Sequence, residues 1–190
     1  MMILYRLINK NESGIITADT LQRDDLDPVF HKLMLSTGDD IISFVSRGNN
    51  LEAVSVDNPE LKTRTWCSYY TADSAEIIKV YPDIFKRETI QEMINDGIDV
   101  HTNNEILLSK AVEYGYLDAA EFLLKNGADP KVSMSLPLRL AIFHNRTAII
   151  KPLLDAGADF KATPMTKIWT LKFGNDETKE VLKEYIKEEN

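Results

Sequence analysis

The sequence predicts an α+β module over residues 1–72, followed by an α-helical solenoid of repeated helix pairs over residues 73–190. Three observations predict this division. A sequence element recurs every thirty residues in the second part, each copy places its apolar residues at helical spacing, and the first part is rich in the β-branched and aromatic residues that favour strands. With 190 residues, 44% hydrophobic and 27% charged, the chain is typical of folded proteins and can bury a sizeable core.

The repeated element is Leu-Leu-x-x-Gly-Ala-Asp. Residues 123–129 read Leu-Leu-Lys-Asn-Gly-Ala-Asp, residues 153–159 read Leu-Leu-Asp-Ala-Gly-Ala-Asp, and a weaker copy, Met-Ile-Asn-Asp-Gly-Ile-Asp, occupies residues 93–99. Self-similarity at a fixed period indicates stacked structural units. Three copies in one register therefore predict a repeat architecture.

Each unit is predicted to consist of a helix, a tight turn, a second helix and a loop. Residues 117–126 have apolar side chains at the i, i+3, i+4 and i+7 spacing of an amphipathic helix. Gly127 ends this helix, because glycine adopts a positive φ without steric cost. Residues 106–112 predict the shorter first helix, and Glu113-Tyr114-Gly115 the turn between the two.

The unit resembles the ankyrin repeat, whose pattern runs Thr-Pro-Leu-His-x-Ala, a glycine-containing turn, a second helix ending in Leu-Leu, and Gly-Ala-Asp. The copies at 106–130 and 136–160 match best, and residues 136–141 read Leu-Pro-Leu-Arg-Leu-Ala. The resemblance covers about residues 74–187. It implies an ankyrin repeat solenoid of about four short, 30-residue helix pairs, with a concave surface of first helices and loop tips that binds protein.

The copies depart from the family pattern in their loops and first helices. The period is 30 rather than 33 residues, and the missing residues belong to the loop within 129–137, so we expect short loops. Ile106 and Ser109 occupy the family's Thr and His positions in one copy, and Leu136 and Arg139 do so in the next. Some hydrogen bonds between repeats are therefore expected to be absent.

Two residues affect the turns and second helices. Pro152 cannot donate a backbone hydrogen bond, so its helix is expected to start late or to kink. Asn145 replaces the turn glycine seen as Gly115, which is tolerable because asparagine enters the left-handed region more readily than most residues.

Degenerate units are predicted at both ends of the array. Within 74–99, the apolar residues up to Val80 predict a first helix ended by Pro82, and residues 90–94 predict the second. At the other end, residues 168–173 and 181–186 predict a capping repeat with a polar-faced terminal helix.

The amino-terminal module contains three predicted strands and one predicted helix. The strands are residues 2–8, 51–56 and 65–71, all rich in β-formers. Asp27-Pro28 predicts the start of a helix through Leu35, with Gly38 beyond its end. We recognise no family in this module from these features.

Charge and cysteine content exclude several classes of protein. Lys and Arg number 22 against 30 Asp and Glu, and the net charge of −8 disfavours direct binding to nucleic acid or to an anionic membrane. The single cysteine, Cys67, excludes an internal disulfide and a multi-thiolate zinc site. Since the sequence contains neither a secretory hydrophobic region nor 18 consecutive apolar residues, we expect a cytoplasmic location.

The sequence predicts no catalytic residue, no metal site and no cofactor. Cys67 lies in a predicted strand, where cysteine usually behaves as a small hydrophobe. His31, His101 and His144 lack neighbours at ligand spacing. The acidic run 24–27 lacks the alternating ligands and glycine of a calcium loop, and a helix cap explains it better.

We therefore expect a non-enzymatic protein that binds a protein partner through the concave face of the array. Short, degenerate arrays of this kind occur in viral and bacterial proteins, which favours an adaptor or an inhibitor of a host protein. Carrying over the family's variable contact positions gives the following partner-binding residues: Lys110, Glu113, Tyr114, Lys131, Ser133, Met134, Arg139, Phe143 and His144.

Two alternatives remain open. Tyr5-Arg6 on the first strand, with Ser43 on a later one, resembles the ADP-ribosyltransferase fold, which would make the amino-terminal module a small catalytic or ligand-binding domain targeted by the repeats. The carboxylate pattern of that family is not evident, however. A second alternative is that an acidic surface mimics nucleic acid, although the acidic residues are spread along the chain.

Overall fold

The computed structural model describes residues 2–8, 15–17, 33–35, 50–63 and 68–187. Its contacts divide the chain into two compact units, Met1–Asn103 and Asn104–Asn190. The strands are β1 (Met2–Ile8), β2 (Ile15–Thr17), β3 (Leu33–Leu35), β4 (Asn50–Val56), β5 (Glu60–Thr63), β6 (Ser68–Ala72) and β7 (Ser74–Tyr81). The helices are α1 (Arg87–Asn95), α2 (Thr102–Tyr114), α3 (Leu117–Lys125), α4 (Val132–Phe143), α5 (Thr147–Asp155), α6 (Pro164–Phe173), α7 (Asp176–Val181) and α8 (Lys183–Lys187).

The first unit contains two antiparallel sheets and helix α1. One sheet has the strand order β1-β4-β7-β2, and the other has the order β3-β6-β5. Their side chains share one apolar cluster, in which Leu4 pairs across the strands with Val54. The predicted strands at 2–8 and 51–56 are confirmed. The third appears as Ser68–Ala72, and residues 65–67 lie outside the described part.

Two helices expected from the sequence are strands where the structure describes them. Leu33–Leu35, the end of the helix predicted from Asp27, is a strand paired with β6, and the rest of that helix lies outside the described residues. Ser74–Tyr81 is also a strand, paired with β4 and with β2. Its first residues alternate between exposed and buried, as a strand requires. The sheet thus continues past residue 72, and only the second helix, α1, of the expected first pair is present.

A small polar cluster connects β7 to α1. The Lys79 ammonium lies 2.5 Å from an Asp96 carboxylate oxygen and 2.8 Å from a Glu92 oxygen, and the Tyr81 hydroxyl donates to Asp96 at 2.7 Å. These hydrogen bonds lower the pKa of Asp96 below its ordinary value of 3.8. They also raise the pKa of Lys79, while burial, followed by Asp96, raises the pKa of Tyr81.

We expect Asp96→Asn to make the free energy of unfolding depend less on pH below about pH 4. Because the folded pKa of Asp96 lies below 3.8, its contribution to stability is present above that pH and is lost as the pH falls through the folded value. The unfolding free energy of the wild-type chain should fall more steeply than that of Asp96→Asn below about pH 4. Urea titrations at several pH values measure this. Tyr81→Phe, which removes one donor, should give an intermediate slope, and parallel profiles would contradict the assignment.

In the second unit, consecutive helices pack in a regular order. Helix α4 contacts α5 and α6, and the second helices contact one another, α3 with α5 and α5 with α7. Ala111 and Ala141, at equivalent positions thirty residues apart, are fully buried, as are Leu123 and Leu153. The side chains that recur in the sequence therefore form the core of this unit.

The repeated Leu-Leu-x-x-Gly element forms the same helix ending each time. After α3, the Ala128 amide donates to the Leu123 carbonyl at 3.0 Å across Gly127, whose φ is +100°. After α5, the equivalent bond from Ala158 to Leu153 measures 2.9 Å. This six-to-one bond with a left-handed glycine is the Schellman motif. The weaker copy makes it too, from Ile98 to Met93 at 2.9 Å, which explains why all three copies retain glycine.

Helices α2 and α4 each begin with an unusual left-handed turn. Residues 103–105 and, thirty residues later, 133–135 all have φ between 50° and 58°. Each turn ends on a buried acceptor. Glu105 accepts from the Asp129 amide at 3.1 Å, and Ser135 accepts from the Asp159 amide at 2.8 Å. Hydrogen bonds between consecutive repeats are thus present at these two positions, one residue before those considered in the sequence.

Three further expectations can be compared with the helices. Asn145 has a φ of 53°, which confirms that it takes the left-handed role of Gly115. Pro152 does not delay its helix, because α5 begins at Thr147, thirty residues after the start of α3 at Leu117. The last helix pair carries exposed apolar side chains, so its surface is less polar than expected for a cap; they are Met165, Ile168, Leu171 and Val181.

Candidate functional site

The predicted residues at the end of α2 form one compact group. The Lys110 ammonium pairs with a Glu113 carboxylate oxygen at 2.8 Å and lies 5.4 Å from the centre of the Tyr114 ring. The hydrogen bond to Glu113 raises the pKa of Lys110. Tyr114 is exposed and packs edge-on against Tyr116. This group presents an aromatic ring, with its cation already paired within the helix.

Arg139 connects the predicted loop residues to α4. Its guanidinium donates to the Ser133 carbonyl at 2.8 Å and to the Met134 carbonyl at 3.2 Å, so it helps to hold the left-handed turn. Met134 is 59% exposed at the tip of this turn. Lys131 lies apart, against the next repeat, where its side chain passes close to Gly157.

The two remaining predicted residues belong to a larger group on α4 and α6. The Phe143 ring centre lies 5.0 Å from His144, 5.3 Å from Trp169 and 4.9 Å from Phe173. The Arg139 guanidinium lies 5.7 Å from the Trp169 ring centre, and the Lys172 ammonium lies 5.2 Å from that of Phe173. We call this group the cation–aromatic cluster; its members are Arg139, Phe143, His144, Trp169, Lys172 and Phe173.

The cluster is a surface feature rather than a closed core. Phe143 is 41% exposed, Lys172 is exposed, and Trp169 and Phe173 are half-buried. Aromatic residues and arginine are enriched at protein interfaces and among the side chains that contribute most to binding energy. The cluster contains both types at a partly exposed site.

The residues predicted from the sequence include only half of the cluster. Trp169 and Phe173 are predicted from the sequence as apolar residues of the capping repeat, and Lys172 is not among the predicted residues. A signal was available, because Trp169 follows Arg139 by thirty residues and Phe173 follows Phe143 by the same number. Carrying the contact positions forward by one more repeat identifies both rings.

A separate cleft of about 330 Å³ lies near the turns between paired helices. It is lined mainly by small and apolar side chains, together with Asn145, Arg146, Thr147 and Glu177. The Arg146 guanidinium donates to the Glu113 carbonyl at 3.1 Å, which ties this turn to the end of α2. The cleft therefore has a mainly apolar lining that also includes two charged side chains, Arg146 and Glu177.

Comparison with protein families identifies the repeated part of the chain. A family model for ankyrin repeats, in three copies, matches residues 85–164. Residues 85–164 belong to the ankyrin repeat family. The match begins beyond β7 and includes α1, in agreement with the finding that the first expected helix is a strand.

One curated relative extends the similarity to a viral protein. The chain is 30% identical over 141 residues to "Putative ankyrin repeat protein R896" of Acanthamoeba polyphaga mimivirus. The aligned part is 67% of this chain, and the chain covers 42% of the relative's length. No solved structure matches the chain. Ankyrin repeats are a protein-interaction module, and this is the function the family match supports.

Of the three side chains on which the ADP-ribosyltransferase resemblance rests, the structure describes that of Tyr5. Tyr5 lies on β1, and burial raises its pKa, with Asp96 adding to the effect. The side chain of Arg6 lies outside the described residues, as do Ser43, Cys67, His31 and the acidic run 24–27. In the part of the chain that the structure describes, no group of His, Cys, Asp and Glu suits a metal ion, and no helix is long and apolar enough to span a membrane.

Proposed function

We propose that this chain is a non-enzymatic interaction protein that binds one protein partner through the first helices and loop tips of its ankyrin repeats. The cation–aromatic cluster carries the proposal. It places the exposed Phe143 ring of α4 against the half-buried rings of Trp169 and Phe173 on α6, and its Arg139 also contacts the exposed turn at Met134. The predicted residues on α2, Lys110, Glu113 and Tyr114, extend the same type of surface to the preceding repeat.

The proposal includes a cytoplasmic adaptor, or an inhibitor of a host protein. The similarity to a mimivirus ankyrin repeat protein supports a viral setting. A short array can present a few large side chains at fixed spacing, because each repeat is held mainly by its neighbours and its exposed positions are free to vary. Such a surface binds a partner without requiring catalytic groups.

Affinity capture with matched variants tests this proposal. The tagged chain is incubated with cytosol from its source organism or that organism's host, and captured proteins are identified by mass spectrometry. We expect Phe143→Ala combined with Trp169→Ala to weaken binding of the partner at least about 30-fold, as loss of an interface hot spot does. Tyr185→Ala on α8 removes an exposed ring outside the cluster and should retain the partner. Equal capture by the two variants would contradict the proposal.

A further inference from the structure

Charge is distributed unevenly between the helices of the second unit. Helices α4 and α6 contain three basic residues, Arg139, Lys167 and Lys172, and no acidic residue. Helices α3, α5 and α7 contain six acidic and three basic residues. The net charge of −8 therefore does not describe the surface that carries the cation–aromatic cluster.

The cations of the cluster also differ in their partners from three lysines on neighbouring helices of this unit. Lys110 pairs with Glu113, Lys125 with Glu121 at 3.6 Å, and Lys151 with Asp155 at 3.9 Å. Among the described residues, Arg139 and Lys172 have no carboxylate partner and lie instead over aromatic rings. Lys172 is exposed and Arg139 is half-buried, and a cation held over a ring in contact with solvent remains available to a carboxylate from another molecule.

We infer that the cation–aromatic cluster binds an acidic segment of its protein partner. This inference rests on the proposed function and names the chemistry of the partner. An apolar side chain of the segment packs on Phe143 and Trp169, and flanking Asp or Glu side chains pair with Arg139 and Lys172. Since salt screens exposed charges beyond about 10 Å, the local positive charge outweighs the net charge of the chain at contact. The inference therefore gives the partner an acidic surface, although this chain has a net negative charge.

Nucleic acid is the other polyanion that rings and cations can bind, by base stacking and phosphate contacts. The small number of cations favours a protein ligand. Helices α4 and α6 supply only three cations, whereas binding to nucleic acid gains its affinity from many phosphate contacts and is opposed by a net charge of −8.

Peptide selection on the full chain provides the first test. A random 12-residue display library is selected on the immobilised wild-type chain, and the recovered sequences are synthesised with a fluorescent label for anisotropy titration. We expect peptides in which Asp and Glu outnumber Lys and Arg around an aromatic or aliphatic residue. Replacing their Glu by Gln should weaken binding at least about tenfold, which corresponds to about 1.4 kcal/mol.

Two charge variants locate the interaction. Lys172→Glu should weaken the selected peptides at least about tenfold, as expected for an opposed charge at contact. Lys125→Glu, the same change on α3, should alter affinity by less than about twofold. Lys172 is preferred to Arg139 for this test, because Arg139 also holds the left-handed turn. Circular dichroism and thermal unfolding confirm that both variants are folded.

The outcomes separate this inference from the proposed function. Neutral or basic peptides, or peptides unaffected by Lys172→Glu, overturn the acidic-segment inference. If Phe143→Ala still abolishes their binding, the proposed function stands. Peptides unaffected by Phe143→Ala overturn both, as does a selection that recovers no binder. A labelled 20-nucleotide oligothymidylate is titrated in the same way. If it binds more tightly than the acidic peptides, and if Lys172→Glu abolishes that binding, the ligand of the cluster is nucleic acid and the acidic-segment inference is wrong.

Discussion

Leu153→Ala should lower the free energy of unfolding by about 2–5 kcal/mol, the usual cost of truncating a buried leucine. Leu153 is fully buried in α5, which contacts α3, α4 and α7. Its loss leaves a cavity that several helices line, and fixed helix positions limit the collapse of that cavity. Urea unfolding followed by far-ultraviolet circular dichroism measures the change.

The neighbouring leucine supplies a matched control. Leu154 is also a leucine of α5, but its side chain is only half-buried. Leu154→Ala should therefore cost less than half as much as Leu153→Ala. Equal losses at the two positions would show that helix propensity, rather than core packing, distinguishes the variants from the wild-type chain.

Glu105→Ala should destabilise the chain by about 1–3 kcal/mol, because it leaves a backbone amide without its acceptor. The Glu105 carboxylate is buried and accepts from the Asp129 amide across the loop. Glu105→Gln keeps a carbonyl oxygen in the same place and should recover most of the loss. All three side chains have a Cβ, so the strain of the positive φ at this position is equal for them.

Thermal and urea unfolding of the three chains measures this effect. If Glu105→Gln is as unstable as Glu105→Ala, the charge of the carboxylate rather than its role as an acceptor is what matters. If neither variant loses stability, solvent satisfies the Asp129 amide and the bond between repeats contributes nothing.

The second helices and their endings were predictable because their determinants are local. An amphipathic stripe, a Leu-Leu pair and a glycine with positive φ lie within ten residues of one another and recur at 30-residue spacing. The acceptors at Glu105 and Ser135 were not predictable from the family pattern. These acceptors lie in the left-handed turns at the start of α2 and α4, one residue before the family's Thr position at Ile106 and Leu136.

Strand β7 is not predictable from its local sequence, because the strands that pair with it are distant in sequence. Apolar residues within Ser74–Tyr81 fit a short helix as well as a strand, and a neighbouring repeat favours the helix. Its backbone pairs instead with β4 and with β2. Only half of the cation–aromatic cluster is predictable from the repeat pattern. Arg139, Phe143 and His144 lie in a clear repeat, whereas Trp169 and Phe173 lie in a degenerate one.

The presence of strand β7 directly before α1, where a complete repeat would have its first helix, has an evolutionary consequence. Repeat proteins gain length when a segment encoding one unit is duplicated and inserted beside the original. A duplicate of the segment from Ser74 to Gly97 would carry a strand with no sheet to join, so selection should remove it. A duplicate of α2 with α3, or of α4 with α5, carries its own helix ending and its own loop acceptor. Among descendants of this gene, arrays should therefore differ in the number of units after Gly97, while the sheet and α1 are inherited as one indivisible block.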